Sequence, residues 1–283
     1  MRSRVMGADH TEESPKGKAE NRWHGLVSAA VRPAARPVGA VFLPDGWQPP
    51  ALALAGGAGG RIMAQVLVVG ASGGIGRALV AAQRARGDTV TGLSRSADGL
   101  DVTDEASVVR VLAPFHAPFQ TVIVATGALE IRGAAPEKSL ARLDPAALAA
   151  QFALNSIGPM LVLKHALRLM PRDAPARFAV LSARVGSIGD NRLGGWYSYR
   201  AAKAALNQLV HTAAIEIART HPQAVVVCLH PGTVATAFTA RYLGTHPAVP
   251  PQDAAQNLLA VLESLTPAQS GGFFDAQGKV VPW

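Results

Sequence analysis

The sequence predicts one α/β domain, a doubly wound parallel sheet, and three observations carry that expectation. Short, continuously apolar runs recur along the chain (QVLVV, TVIV, RFAVL, AVVVCL), and stretches of helical period separate them. Strands that are apolar on both faces belong to a parallel sheet covered by helices on either side. The first run leads into the glycine-rich turn GASGGIG and then a helix, the arrangement that opens a phosphate-binding βαβ unit. Finally, 283 residues that are 49% hydrophobic but 5% aromatic give a large core built from Ala, Val, Leu and Ile.

The chain divides near residue 62. Residues 1–62 keep no period of 2 or 3.6 and carry Pro33, Pro37, Pro44, Pro49 and Pro50, followed by GGAGG at 56–60. This is the composition of a disordered or linker-like extension. The glycine cluster is not read as a phosphate loop, because RIMA leaves no room for a helix before the next strand. The folded domain is expected over 63–283, beginning at Met63.

Within it the elements follow in order. QVLVVG is a strand and GRALVAAQRARG a helix stopped by glycine. TVTGLS is the second strand, EASVVRVLAPF a helix and TVIVAT a third strand. DPAALAAQFALNSIGPMLVLKHALRLM reads as one long helix in which Pro159 forces a kink or local break. RFAVLS is a strand, SYRAAKAALNQLVHTAAIEIART a long helix, and AVVVCLH a strand. AAQNLLAVLESL is the final helix, and GGFFDAQGKVVPW supplies a last short strand. Ligands of such sheets bind at the carboxyl ends of the strands.

Composition also sets what the chain is not expected to do. Its formal charge is +8, yet the arginines are scattered, and neither a basic block nor interleaved aromatics occurs. Nucleic acid is therefore not an expected partner. No run of about 18 apolar residues is evident and the N-terminus lacks a secretory core, so no membrane span is expected. Cys228, the only cysteine, lies inside VVVCL as a small hydrophobe and fits a reducing cytoplasm. No His/Cys/Asp cluster has metal-ligand spacing. His165, His211 and His230 carry structural readings.

The site follows from three motifs. Gly70-Ala71-Ser72-Gly73-Gly74-Ile75-Gly76 offers a tight turn and a helix N-terminus to a pyrophosphate, the Rossmann dinucleotide arrangement. At the end of the second strand stand Ser94 and Arg95 where an NAD site places a carboxylate. A hydroxyl and a guanidinium suit a 2′-phosphate, which points to NADP rather than NAD. Asp101, in LDVTD, is placed to reach the adenine or to cap a turn. Tyr199 and Lys203 lie four apart on one helix and share a face. An ammonium about 5 Å from a phenol lowers its pKa by roughly two units, enough for acid/base work. Tyr197 lies off that face.

Together, GASGGIG, the Asn155 segment FALNSIG, YRAAK and HPGTVAT resemble the short-chain dehydrogenase/reductase family over about 64–283. GGWYSYRAAKAALN is most similar to its C-factor and sniffer-type carbonyl-reductase branch. The resemblance implies an NADP-dependent oxidoreductase acting on a small carbonyl or alcohol substrate, assembled as a homodimer or homotetramer. It makes Tyr199 the acid/base, Lys203 its partner and ribose anchor, and Asn155 the holder of a relay water. Cofactor contacts would extend to Val102, to Ala125, Thr126 and Gly127, and to Pro231, Gly232 and Thr233. Two departures stand out. Ala125 replaces the family's usual asparagine, and Ala183 falls where Ser-x-x-Gly would place the serine before Gly186. Ser182 is expected to supply the hydroxyl, with Ser187 the alternative. Residues 234–251 read as a substrate-side lid, with Phe238, Tyr242 and Trp196 as apolar walls. A non-catalytic NADP-binding signalling protein on the same fold is the competing reading.

Overall fold

Val66, Leu67, Val68 and Val69 are fully buried because the strand they form, β1 (Gln65–Val69), has a hydrogen-bonded partner on each side. The computed structural model describes residues 63–242 and 247–283. The expected extension 1–62, with its GGAGG cluster, and residues 243–246 of the expected lid lie outside the described residues.

Six parallel strands form the sheet in the order β2-β1-β3-β4-β5-β6: β2 (Thr89–Leu93), β3 (Thr121–Val124), β4 (Ala176–Leu181), β5 (Ala224–His230) and β6 (Phe273–Asp275) join β1. The chain leaves β1 for β2 on one side and returns to β3 on the other. The strand order therefore reverses between β1 and β3, and a crevice opens beyond their carboxyl ends. Among the described residues no strand lies outside β2, because the chain from β2 returns through α3 (Glu105–Leu112) to β3 without forming another strand.

Helices cover both faces, as the two-sided apolar strands require. On one face α1 (Gly74–Ala85) and α7 (Pro251–Ser264) bury Leu79, Leu258, Leu259 and Leu262 against Val66, Val68 and Val227. On the other, α3, α5 (Gly158–Ala166) and α6 (Tyr197–Ile217) bury Val108, Val162, Leu206 and Val210 against Leu67, Val122 and Phe178.

The long helix expected before β4 is broken, as Pro159 requires. It runs as α4 (Pro145–Phe152), a π turn over Ala153–Ile157, and α5. Pro159 has no N–H to give the Asn155 carbonyl, and the Gly158 N–H bonds instead to the Ala153 carbonyl, five residues back. The extra residue turns Asn155 and Ser156 into the interior, both fully buried, where the Ser156 hydroxyl donates to the Ala202 carbonyl at 2.6 Å. The helical run Pro145–Leu169 corrects one expectation: by length and composition it is apolar enough to cross a membrane. Here it packs on the sheet and on α6, and three polar residues, Gln151, Asn155 and Ser156, are buried along it.

Candidate active site

The crevice between β1 and β3 is built first by the glycine turn. Gly70 has φ +91°, and a Cβ there would stand 2.8 Å from the Ala125 carbonyl carbon on β3's outgoing chain. At Gly76 a Cβ would lie 2.1 Å from the Gly70 carbonyl oxygen, so only glycine lets α1 start this close to the turn. Gly73 caps α1 without a side chain, and its first turn holds no acidic residue. The first-turn N–H groups beside Ser72, Gly74 and Ile75 are left for an external anion. Across the crevice, the Thr126 hydroxyl is buried with no partner among the described residues. A cradle that a methyl group would fill, an uncapped helix end and an orphaned hydroxyl together fit a dinucleotide.

The end of β2 differs from expectation in detail. The Ser94 hydroxyl accepts from the Ala97 N–H at 3.1 Å, capping a four-residue turn of helix, α2 (Arg95–Asp98). Asp98 folds back to accept from the Ser94 N–H at 2.7 Å. The serine is occupied locally, and Arg95 beside it is exposed. Asp101 accepts from the Thr103 hydroxyl and N–H at 2.7 and 2.9 Å, bonds that hold its carboxyl below the usual range, with Arg95 a smaller cause. It is a turn residue with one oxygen to spare. Val102 is buried and packs against Gly158 at the π turn.

The opposite wall comes from α6. Tyr199 and Lys203 are both buried, and the Lys203 Nζ lies 5.9 Å from the Tyr199 ring centre. Nζ donates to the Leu181 carbonyl at the end of β4, at 2.8 Å. Burial lowers Lys203 from an ordinary 10.5 to about 8, and pushes the Tyr199 phenol above its ordinary value. The phenol therefore moves opposite to the direction expected from spacing alone. The ammonium sits over the ring, bound to a carbonyl, and desolvation of the phenolate dominates.

Asn155 meets this pair at Gly127, where a Cβ would lie 2.8 Å from Asn155 Oδ1 and 3.8 Å from Lys203 Nζ. Its amide is fixed on both sides: Oδ1 accepts from the Ala128 N–H, and Nδ2 donates to the Ala128 carbonyl and to Gln151 Oε1. Pro231, Gly232 and Thr233 follow β5, and the returning chain ties them down where the Val249 N–H donates to the Thr233 carbonyl at 2.9 Å. Ala125 is bonded through its N–H to the Val69 carbonyl at 2.7 Å, which joins the two strand ends at the crevice.

Ser182 does not stand free to serve a substrate. It is buried, and its hydroxyl donates to Asn207 Oδ1 at 2.6 Å, one helical turn beyond Lys203. In this arrangement the hydroxyl's one proton goes to Asn207, whose Nδ2 has no partner among the described residues. Ala183 holds the next position, alternating to the other side. Ser187 is also buried; its oxygen accepts from the Asp190 N–H at 3.1 Å, and its proton goes to no group among the described residues.

Aromatic rings gather around Tyr199, at the positions expected for the lid. Phe238 lies 6.4 Å from it, Trp196 also 6.4 Å, and Tyr242 packs on Trp196 at 5.6 Å. Sequence reasoning missed Glu137, 61 residues before its partner. Its buried carboxylate accepts from the Ser198 N–H at 3.2 Å and from the Ser198 hydroxyl, at the start of α6. Glu130, bonded to Tyr242 and Arg241, was missed as well. Both lie in loops without period, where no local signal marks them.

Comparison with known proteins agrees with this geometry. The family model described as enoyl-(acyl carrier protein) reductase matches residues 70–262. The 1-hydroxy-2-glutathionyl-2-methyl-3-butene dehydrogenase of Rhodococcus sp. is 30% identical, covering 78% of this chain and all of that protein. The C-signal of Myxococcus xanthus is 37% identical over 51% of this chain and 84% of its own length. Among solved structures, the NADPH-bound carbonyl reductase from chicken fatty liver superposes with a TM-score of 0.65 at 24% identity, covering 78% of this chain and 94% of that one. The chain belongs to the short-chain dehydrogenase/reductase family of oxidoreductases.

Proposed function

We propose that the chain is an NADP(H)-dependent reductase or dehydrogenase of a small carbonyl or alcohol compound, with Tyr199 exchanging the proton at the substrate oxygen. The observation that carries this reading is the convergence of Tyr199, Lys203 and Asn155 near Gly127, across the crevice from the glycine cradle. The nicotinamide, when bound, supplies or takes the hydride. Gly70–Gly76, Thr126 and Pro231–Thr233 would hold the dinucleotide, and Arg95 would meet its 2′-phosphate; the chicken carbonyl reductase is itself bound to NADPH.

The protein's own part is proton handling. A buried phenol above its ordinary pKa keeps its proton at neutral pH, so Tyr199 stands in the acid form that carbonyl reduction starts from, and alcohol oxidation needs the phenolate offset by a nearby positive charge. Lys203, held near 8 by burial, changes charge close to neutral pH and compensates the phenolate that forms. Asn155 fixes the backbone at Ala128, and its own carbonyl receives no ordinary helical bond from Pro159, which has no N–H. That carbonyl is the place for a relay water. Of the two serines, Ser187 has the proton to donate; Ser182 acts at the substrate only by releasing Asn207. The buried cysteine and family membership suit work in a reducing cytoplasm.

The C-signal relative supports a second reading, a signalling protein that keeps the fold and the cofactor but not the chemistry. NADPH oxidation with a panel of aldehydes and ketones separates the two. Turnover that falls at least about 100-fold in Tyr199→Phe supports the enzyme; equal turnover in both proteins refutes the role of Tyr199.

A further inference from the structure

A hollow of about 320 Å³ is lined by Leu129, Glu130, Ala237, Phe238, Arg241 and Tyr242, with Ala128 also in its lining. Phe238 connects it to the reacting tyrosine, and Ala128 to Asn155. Its volume suits a small organic molecule. Its lining is apolar at Leu129, Ala237 and Phe238 and ionic at Glu130 and Arg241.

The two charges in the hollow are not equally available. The Glu130 carboxylate is mostly covered, with 28% of its side chain exposed, and both oxygens are engaged: Oε1 accepts from the Tyr242 hydroxyl at 2.5 Å and Oε2 from Arg241 Nη1 at 3.2 Å. The Arg241 side chain is 81% exposed and gives one bond to a protein group among the described residues. A guanidinium has five N–H donors in a planar fork. An incoming cation would have to compete with two donors for a covered carboxylate. An incoming anion meets a guanidinium that is open and already turned toward the hollow by Glu130. The exposed ion pair itself is worth little, on the order of 0–1 kcal/mol, so exchanging it costs little. The chain's net charge of +8 favours the approach of anions as well.

We infer that the substrate carries a carboxylate remote from its reacting carbon, and that Arg241 binds it while the apolar wall holds the body between. This rests on the function proposed above, with Arg241 as a specificity-determining residue for that site.

The test compares 4-carboxybenzaldehyde, its neutral analogue 4-formylbenzamide and the cationic 4-(aminomethyl)benzaldehyde as substrates of the full chain with NADPH. The reporting quantity is the ratio of kcat/KM for acid over amide, in wild type and in Arg241→Ala, Arg241→Lys and Glu130→Gln. A ratio of at least about tenfold, carried by KM, that collapses in Arg241→Ala, partly returns in Arg241→Lys and shrinks in about 0.5 M salt supports the inference. A ratio near one, a ratio unmoved by Arg241→Ala, or a preference for the cation that Glu130→Gln removes overturns it. Tyr199-dependent turnover with no charge preference sinks only this inference and leaves the enzyme reading intact. Should no aldehyde be turned over, binding of 4-(hydroxymethyl)benzoate against 4-(hydroxymethyl)benzamide to the NADP-loaded protein, followed by calorimetry, reads the same contrast without chemistry. Equal affinities there overturn the inference too.

Discussion

Removing the Glu137 carboxylate should loosen the start of α6, by an amount that follows from the bonds made there. Trp196, the cap position, has φ +53° and provides no side-chain bond, so the helix that carries Tyr199 begins without a cap of its own. Glu137 takes that role from 61 residues away, accepting two bonds from Ser198 while its main-chain carbonyl accepts from the Trp196 N–H at 2.5 Å. Glu137→Ala removes the carboxylate bonds and keeps the main-chain one. Hydrogen bonds to a charged group contribute about 1.5–3 kcal/mol each, and a carboxylate at a helix N-terminus up to about 2. Against this stands the relief of no longer burying a charge, which is several kcal/mol. That relief is incomplete, because the buried Ser198 hydroxyl and N–H lose their acceptor. The net cost is about 3 kcal/mol, or a Tm roughly 6–12 °C lower for a domain of this size. Glu137→Gln keeps an acceptor but not the charge and costs about half as much. Ser198→Ala, combined with Glu137→Ala, should cost clearly less than the sum of the two single changes. Thermal unfolding followed by circular dichroism measures all four. A Glu137→Ala protein melting within about 2 °C of wild type would refute the capping argument.

Three more predictions concern groups near the reaction. Lys203, lowered from 10.5 to about 8, binds its proton less well folded than unfolded, so stability rises with pH between about 8 and 10.5. Tyr199, shifted upward, opposes that rise above about pH 10, where the unfolded phenol ionises first. Lys203→Met should therefore abolish turnover, flatten the rise, and stabilise the protein at pH 7 by on the order of 2 kcal/mol after loss of the Leu181 bond; denaturant unfolding at about pH 7 and pH 9.5 checks the sign, and a less stable variant at pH 7 would overturn it. Ser182→Ala should cost about 1–3 kcal/mol, since Asn207 loses a donor and its Nδ2 already has no partner among the described residues, yet change kcat by less than about threefold. Ala183→Ser, whose hydroxyl would alternate away from Asn207, should raise kcat/KM by about tenfold or more. Steady-state kinetics on both variants decides, and a large kcat loss in Ser182→Ala would restore that serine to the substrate.

What was legible in the sequence was what spacing encodes. The apolar runs marked the strands, and Pro159 foretold the break that turns Asn155 inward. The glycine turn placed its phosphate cradle, and the four-residue spacing placed Tyr199 and Lys203 on one face. Distance along the chain hid the rest. Glu137 reaches Ser198, and Glu130 reaches Tyr242, across 61 and 112 residues, and neither loop carries a period that would announce the pairing. Local competition hid more: Ser94 faces the expected place but caps its own turn, and Ser182 faces α6 because alternation along β4 sends it there. The same alternation gives Ala183 its meaning. A hydroxyl at 183 would turn away from Asn207, whereas the hydroxyl at 182 ties the end of β4 to α6 next to the Leu181 carbonyl that Lys203 binds. On the reading proposed here, Ser182 joins β4 to α6 beside the lysine and leaves the substrate to another donor.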